Sequence, residues 1–105
     1  MINTNKVKES MQHNIESALA YGESLESIKD SSNDFIDGFL PIYTHDVIQE
    51  WQHMPSEYDN RGAAELGARG ESDIVNLMRL DLYLFYSELF NDVIEKLEAG
   101  ASNES

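Results

Sequence analysis

The chain has 105 residues, of which 20 are Asp or Glu and only 7 are Lys or Arg, giving a formal net charge of −13 at pH 7. Such a surface repels nucleic acid and anionic membranes at long range, which excludes direct nucleic-acid and membrane partners and predicts a basic protein partner. The absence of cysteine excludes disulfides and thiolate metal sites, while 41% apolar residues provide material for a folded core.

The length predicts one domain, residues 1–105. No apolar run reaches the ~18 residues of a membrane span, and Met1 to Lys6 lacks a signal-peptide apolar region, so a cytoplasmic protein is expected.

In chain order, Val7, Met11, Ile15, Ala18 and Leu19 recur at the i, i+4 spacing of an amphipathic helix over Lys6 to Tyr21, with Gly22 as its stop. A second helix starts at Ser24, with Leu25, Ile28, Phe35, Ile36 and Phe39 as apolar positions. Ser31-Ser32-Asn33 is a weak spot that splits it readily, and Pro41 ends the stretch. Thr44 is the expected N-cap of a third helix running through His53, with Asp46 in its first turn and Val47, Ile48 and Trp51 facing the core.

From Met54 to Gly70 the periodicity breaks, with Pro55, three glycines and the turn-forming run Asp59-Asn60-Arg61-Gly62; an irregular loop near 54–70 is expected there. Arg61 and Arg69 either tie this loop down by pairing with nearby acids or form a partner contact. Ser72 is the expected cap of a long final helix closed by Gly100, apolar around most of its circumference and therefore central and largely buried. A helix apolar on so many sides in a small protein is also consistent with a homodimer. The fold class is thus all-α, a small bundle of about four helices, with residues 1–5 and 100–105 expected as disordered ends.

Catalytic and cofactor signatures are lacking. His13, His45 and His53 form no HExxH or HxxxH pair, no glycine pattern resembles a phosphate-binding loop, and no serine sits in a nucleophile elbow. A non-enzyme without cofactor or metal is expected. Tyr83-Leu84-Phe85-Tyr86 reads as core in preference to a base-stacking platform, because net charge opposes single-stranded nucleic acid.

What the pattern does offer is ordered acid. At about 100° per residue, Asp73, Asp81, Glu88, Asp92, Glu95 and Glu98 fall within roughly one third of the wheel of the final helix. Those from Asp81 to Glu95 recur every ~5 to 10 Å along it. Glu23, Glu26, Asp30, Asp34 and Asp37 add a second acidic stretch. Duplex DNA shows one charge per ~1.7 Å of axis, so imitating it takes several such helices together. An acidic stripe is equally the solvated face of an amphipathic helix.

The layout resembles the phage Ocr-type antirestriction proteins, small acidic helical proteins that imitate bent duplex DNA. The resemblance runs loosely from Tyr21 to Glu98. It covers the acidic section around Ile28-Lys29-Asp30, a middle helix at Asp46-Val47-Ile48, an irregular loop, and the long helix from Asp73-Ile74-Val75 to Phe90-Asn91-Asp92-Val93-Ile94-Glu95. It implies a DNA-mimic inhibitor for host defence evasion, which occupies the basic groove of a restriction, BREX-type or CRISPR effector protein in the bacterial cytoplasm. The alternative from the residues is a helical adaptor or antitoxin-like module using an apolar groove or the 55–70 loop.

Overall fold

The computed structural model describes residues 2–55 and 71–104, apart from the side chains of 71–73 and 101–104. Among these the chain is all-α: α1 (Thr4–Ala20), α2 (Leu25–Asp30), α3 (Ser32–Asp37), α4 (Thr44–Gln52) and α5 (Glu71–Glu104), with no strand. Most of the loop expected near 54–70, including Arg61 and Arg69, lies outside the described residues. Packing groups the residues into two compact units. The first is Met1–Ile2 with Phe39–Tyr86, and the second is Asn3–Gly38 with Ser87–Ser105.

The second unit is built from α1 and α2, each with a side-chain cap, from α3, which has none, and from the C-terminal part of α5. Asn3 caps α1, its side chain accepting from the Lys6 amide at 3.2 Å, so the helix begins two residues before Lys6. At the other end the Gly22 amide donates to Leu19 O at 3.0 Å and the Glu23 amide to Ala18 O at 3.1 Å. This Schellman closure requires a left-handed residue, and Gly22 has φ +101°. Gly22→Ala puts a Cβ on that backbone and is expected to cost about 1 kcal/mol, read as a lower urea midpoint at unchanged m-value.

Ser24 caps α2, its hydroxyl accepting from the Ser27 amide at 3.1 Å. The weak spot at Ser31 does divide the segment: Ser31 sits at φ −100°, ψ 18°, as both C-cap of α2 and N-cap of α3. With that division the described residues form five helices, in keeping with a small bundle of about four whose second helix splits. Phe39, expected on the second helix, lies beyond it, because α3 stops at Asp37, well before Pro41. Met11, Ile15, Ile28, Ile36, Leu89, Phe90, Val93 and Ile94 are the buried apolar residues of this unit. Phe35 packs on Phe90 with ring centroids 5.9 Å apart, the separation at which tilted aromatic pairs attract.

The first unit contains α4 and the N-terminal part of α5. Thr44 is not the cap of α4: Tyr43 takes that position with extended backbone (φ −86°, ψ 140°) and no side-chain cap hydrogen bond, and Thr44 is the first helical residue. Val47 and Trp51 are buried as expected, together with Met54, Val75, Leu82, Phe85 and Tyr86; Ile48 is half-buried. Arg79 donates to the backbone oxygen of Ile42 at 3.1 Å and tethers the segment leading into α4.

Two expectations for α5 fail at its ends. Glu71 is already helical, so Ser72 lies in the first turn and not at the cap, and Gly100 does not close the helix, which continues to Glu104. Glycine commonly closes a helix by taking the left-handed conformation, which Gly22 does and Gly100 does not, Gly22 being the one glycine with positive φ among the described residues. Residues 4–5 and 100–104, expected as disordered ends, are thus assigned to helix. The helix is also less enclosed than its composition suggests, since Leu80 and Leu84 stand 51% and 46% exposed.

Candidate functional site

The second unit brings most of the candidate carboxylates to its surface. Glu23, Glu26, Asp30, Asp34 and Asp37 are all exposed on or beside α2 and α3, and Glu88 and Glu95 are exposed on α5. None of them has an ion-pair partner among the described residues. Glu26 and Asp34 occupy first helical turns, where a carboxylate offsets the positive end of the dipole. Asp30 and Asp37 are the last residues of α2 and α3, where the same dipole disfavours them. Helix stability therefore accounts for the first two and not for the second two.

Two further candidates are committed internally. Asp92 is exposed, but its Oδ2 lies 3.2 Å from Lys8 Nζ of α1, and half-exposed Glu98 pairs with Lys29 of α2. Lys96 reaches back to Gln12 Oε1 at 3.4 Å. These contacts link α5 to α1 and α2 within the unit.

Asp81 has to be removed from the surface set. It is 3% exposed, and its Oδ2 accepts from Trp51 Nε1 at 2.9 Å. A tryptophan N–H buried without an acceptor is costly, and this carboxylate supplies the acceptor. Asp81 is seven residues before Glu88, so on the wheel the two differ by only about 20°, yet Glu88 is exposed and Asp81 faces α4. The side chain of Asp73, the remaining candidate, lies outside the described residues.

The first unit carries features that sequence reasoning missed. A shallow cleft of about 520 Å³ is lined by Ile2, Pro41, Asp46, Gln49, Glu50 and His53. The Ile2 amide donates to His53 O at 2.9 Å, and His53 Nδ1 contacts Gln49 O at 2.7 Å. Buried Tyr86 donates its hydroxyl to Glu50 Oε1. Burial raises the Glu50 carboxyl above the ordinary glutamate value, and Asp46, one turn away, adds to the rise. The spacing of Asp46 and Glu50 was visible in the sequence, whereas the burial that perturbs Glu50 was not.

The unfolded chain gives up the Glu50 proton at a lower pH than the folded one. The stability Glu50 contributes is therefore complete below the ordinary glutamate pKa and is lost as pH rises through the raised value. Glu50→Gln keeps an oxygen acceptor for Tyr86 and removes the titration. It is expected to unfold at a higher temperature than the parent at pH 7 and to show no such advantage near pH 3, tested by thermal melts at both values.

The first unit also exposes apolar side chains at Ile42, Tyr43, Leu80 and Leu84, which are 81%, 72%, 51% and 46% exposed. Phe85 and Tyr86 of the aromatic run are buried, as the core reading expects, and Tyr83 is half-buried. Among the described residues no group of three or more His, Asp or Glu is placed to hold a metal ion, and no helix is long and apolar enough to cross a membrane. The chain matches no protein-family model, and no curated protein or solved structure is found to be similar to it.

Proposed function

We propose that this chain is a non-catalytic mimic of duplex DNA that occupies the basic groove of a DNA-binding defence protein, such as a restriction, BREX-type or CRISPR effector. The observation that carries the reading is the set of exposed carboxylates on the second unit that have no ion-pair partner among the described residues, with Asp30 and Asp37 held where helix energetics disfavour them. A net charge of −13 supplies the long-range attraction to a cationic groove. Target Lys and Arg side chains exchange phosphates for these carboxylates, and binding is competitive with DNA. The resemblance in layout to the phage Ocr-type antirestriction proteins supports the same reading.

A second reading, a helical adaptor that binds one protein through an apolar face, is favoured by the exposure of Ile42, Tyr43, Leu80 and Leu84. Salt separates the two, because many exposed charge pairs are screened strongly and an apolar interface is not. The test is a competition assay at low and moderate salt against DNA complexes of restriction, BREX-type and CRISPR effectors. Stoichiometric, salt-sensitive displacement of the duplex is the expected result. No displacement anywhere in the panel overturns mimicry, and salt-insensitive capture of one protein favours the adaptor.

A further inference from the structure

Along the C-terminal part of α5 the acids alternate between two conditions. Among the described residues Glu88 and Glu95 are exposed without an ion-pair partner, while Asp92 between them is paired with Lys8 and Glu98 beyond them with Lys29. Lys8 and Asp92 keep 38% and 56% of their side-chain surface exposed, and Lys29 and Glu98 keep 49% and 42%. Exposed pairs of this kind contribute little to folding. They do cancel the charge that an approaching partner meets within a Debye length.

We propose that Lys8 and Lys29 are built-in counterions that set which carboxylates α5 offers to a basic partner. With both lysines in place, the row of charges every ~5 Å is thinned to Glu88 and Glu95, two turns and ~10 Å apart on nearly the same side of the helix. The inference deepens the mimicry reading and rests on it for the identity of the surface that meets the target. It specifies the partner further, as a surface whose Lys or Arg side chains recur at ~10 Å, since a partner cation reaching for Asp92 or Glu98 has to displace an internal lysine first.

Lys6 provides a matched control, being exposed on α1 without an ion-pair partner among the described residues. Lys6→Gln, Lys8→Gln and Lys29→Gln each make the net charge one unit more negative, but only the last two release a carboxylate. The experiment titrates a fluorescent dodecalysine peptide with the parent and each variant at about 20 and about 150 mM NaCl, with circular dichroism confirming the fold. Lys8→Gln and Lys29→Gln are expected to bind about fivefold tighter than Lys6→Gln at the lower salt, with a steeper loss at the higher. Lys8→Arg, which keeps the pair, is expected to match the parent. Equal tightening by all three glutamine variants overturns the assignment, because net charge alone then explains the effect. Failure of the parent to displace duplex DNA from any groove protein is a separate readout. If that occurs while Lys8→Gln and Lys29→Gln still exceed Lys6→Gln on dodecalysine, the mimicry reading falls and the counterion assignment stands.

Discussion

Trp51→Ala is expected to cost about 5 kcal/mol or more, a loss of the same order as the whole stability of a chain this size. Two contributions combine. Removing a buried large aromatic leaves a cavity costing about 3 to 5 kcal/mol, and Trp51 is only 7% exposed. The change also deprives buried Asp81 of its indole donor, and leaving a buried polar group short of a partner costs about 1 to 3 kcal/mol more. Trp51 is the only tryptophan, so the measurement is urea denaturation followed by circular dichroism at a helix band. Trp51→Phe separates the contributions, because it keeps most of the ring and removes the N–H. A loss of about 2 kcal/mol there is expected, and a loss within error assigns the whole effect of the alanine variant to packing.

Reversing Asp30, Asp37, Glu88 and Glu95 together to lysine is expected to weaken binding to a basic groove more than a hundredfold at low salt. Each reversal replaces an attraction of about 1 kcal/mol in water by a comparable repulsion. The four positions are exposed and without ion-pair partners among the described residues. Lysine at the last residues of α2 and α3 also suits the helix dipole better than aspartate does, so the fold is expected to survive. The check is the DNA-displacement assay with the melting temperature measured in parallel. Lysines introduced together at Gln52 and Asn76, exposed and uncharged in the first unit, shift the net charge by as much as one reversal does, so comparing that pair with Glu88→Lys alone tests whether position matters or only total charge. Undiminished displacement by a folded fourfold variant removes these carboxylates from the mechanism.

The local signals in the chain were readable because they act over one or two helical turns. Val7, Met11 and Ile15 repeat along one face of α1, and the latter two are indeed buried. Gly22 stops α1 because only a residue free of Cβ adopts φ +101° at no steric cost. Ser24 caps α2 through a contact three residues away. Other local expectations failed where two neighbours compete for one role. Tyr43 holds the cap position that the Thr44 hydroxyl suits chemically, since the chain arrives there already extended. Gly100 stays inside α5, because a cost of about 1 kcal/mol for glycine in a helix does not by itself end one when the backbone keeps its helical φ.

The acidic surface was legible only in part, and the reason is geometric. Net charge, the all-α class and the exposure of the five acids Glu23, Glu26, Asp30, Asp34 and Asp37 follow from composition and periodicity, because desolvating carboxylates is costly and they stay in water. A helical wheel assigns each side chain a direction but not what lies in that direction. Asp81 and Glu88 point nearly the same way from α5, yet one meets the Trp51 indole and the other meets solvent. The pairing of Lys8 with Asp92 and of Lys29 with Glu98, and the perturbation of Glu50 by burial, likewise depend on residues far apart in the chain. Composition and periodicity alone dictate a helical protein with a strongly acidic surface. Which acids are buried, which are neutralised from within and which lack a partner among the described residues follows only from how the helices pack, because desolvation and Coulomb attraction act through space and not along the chain.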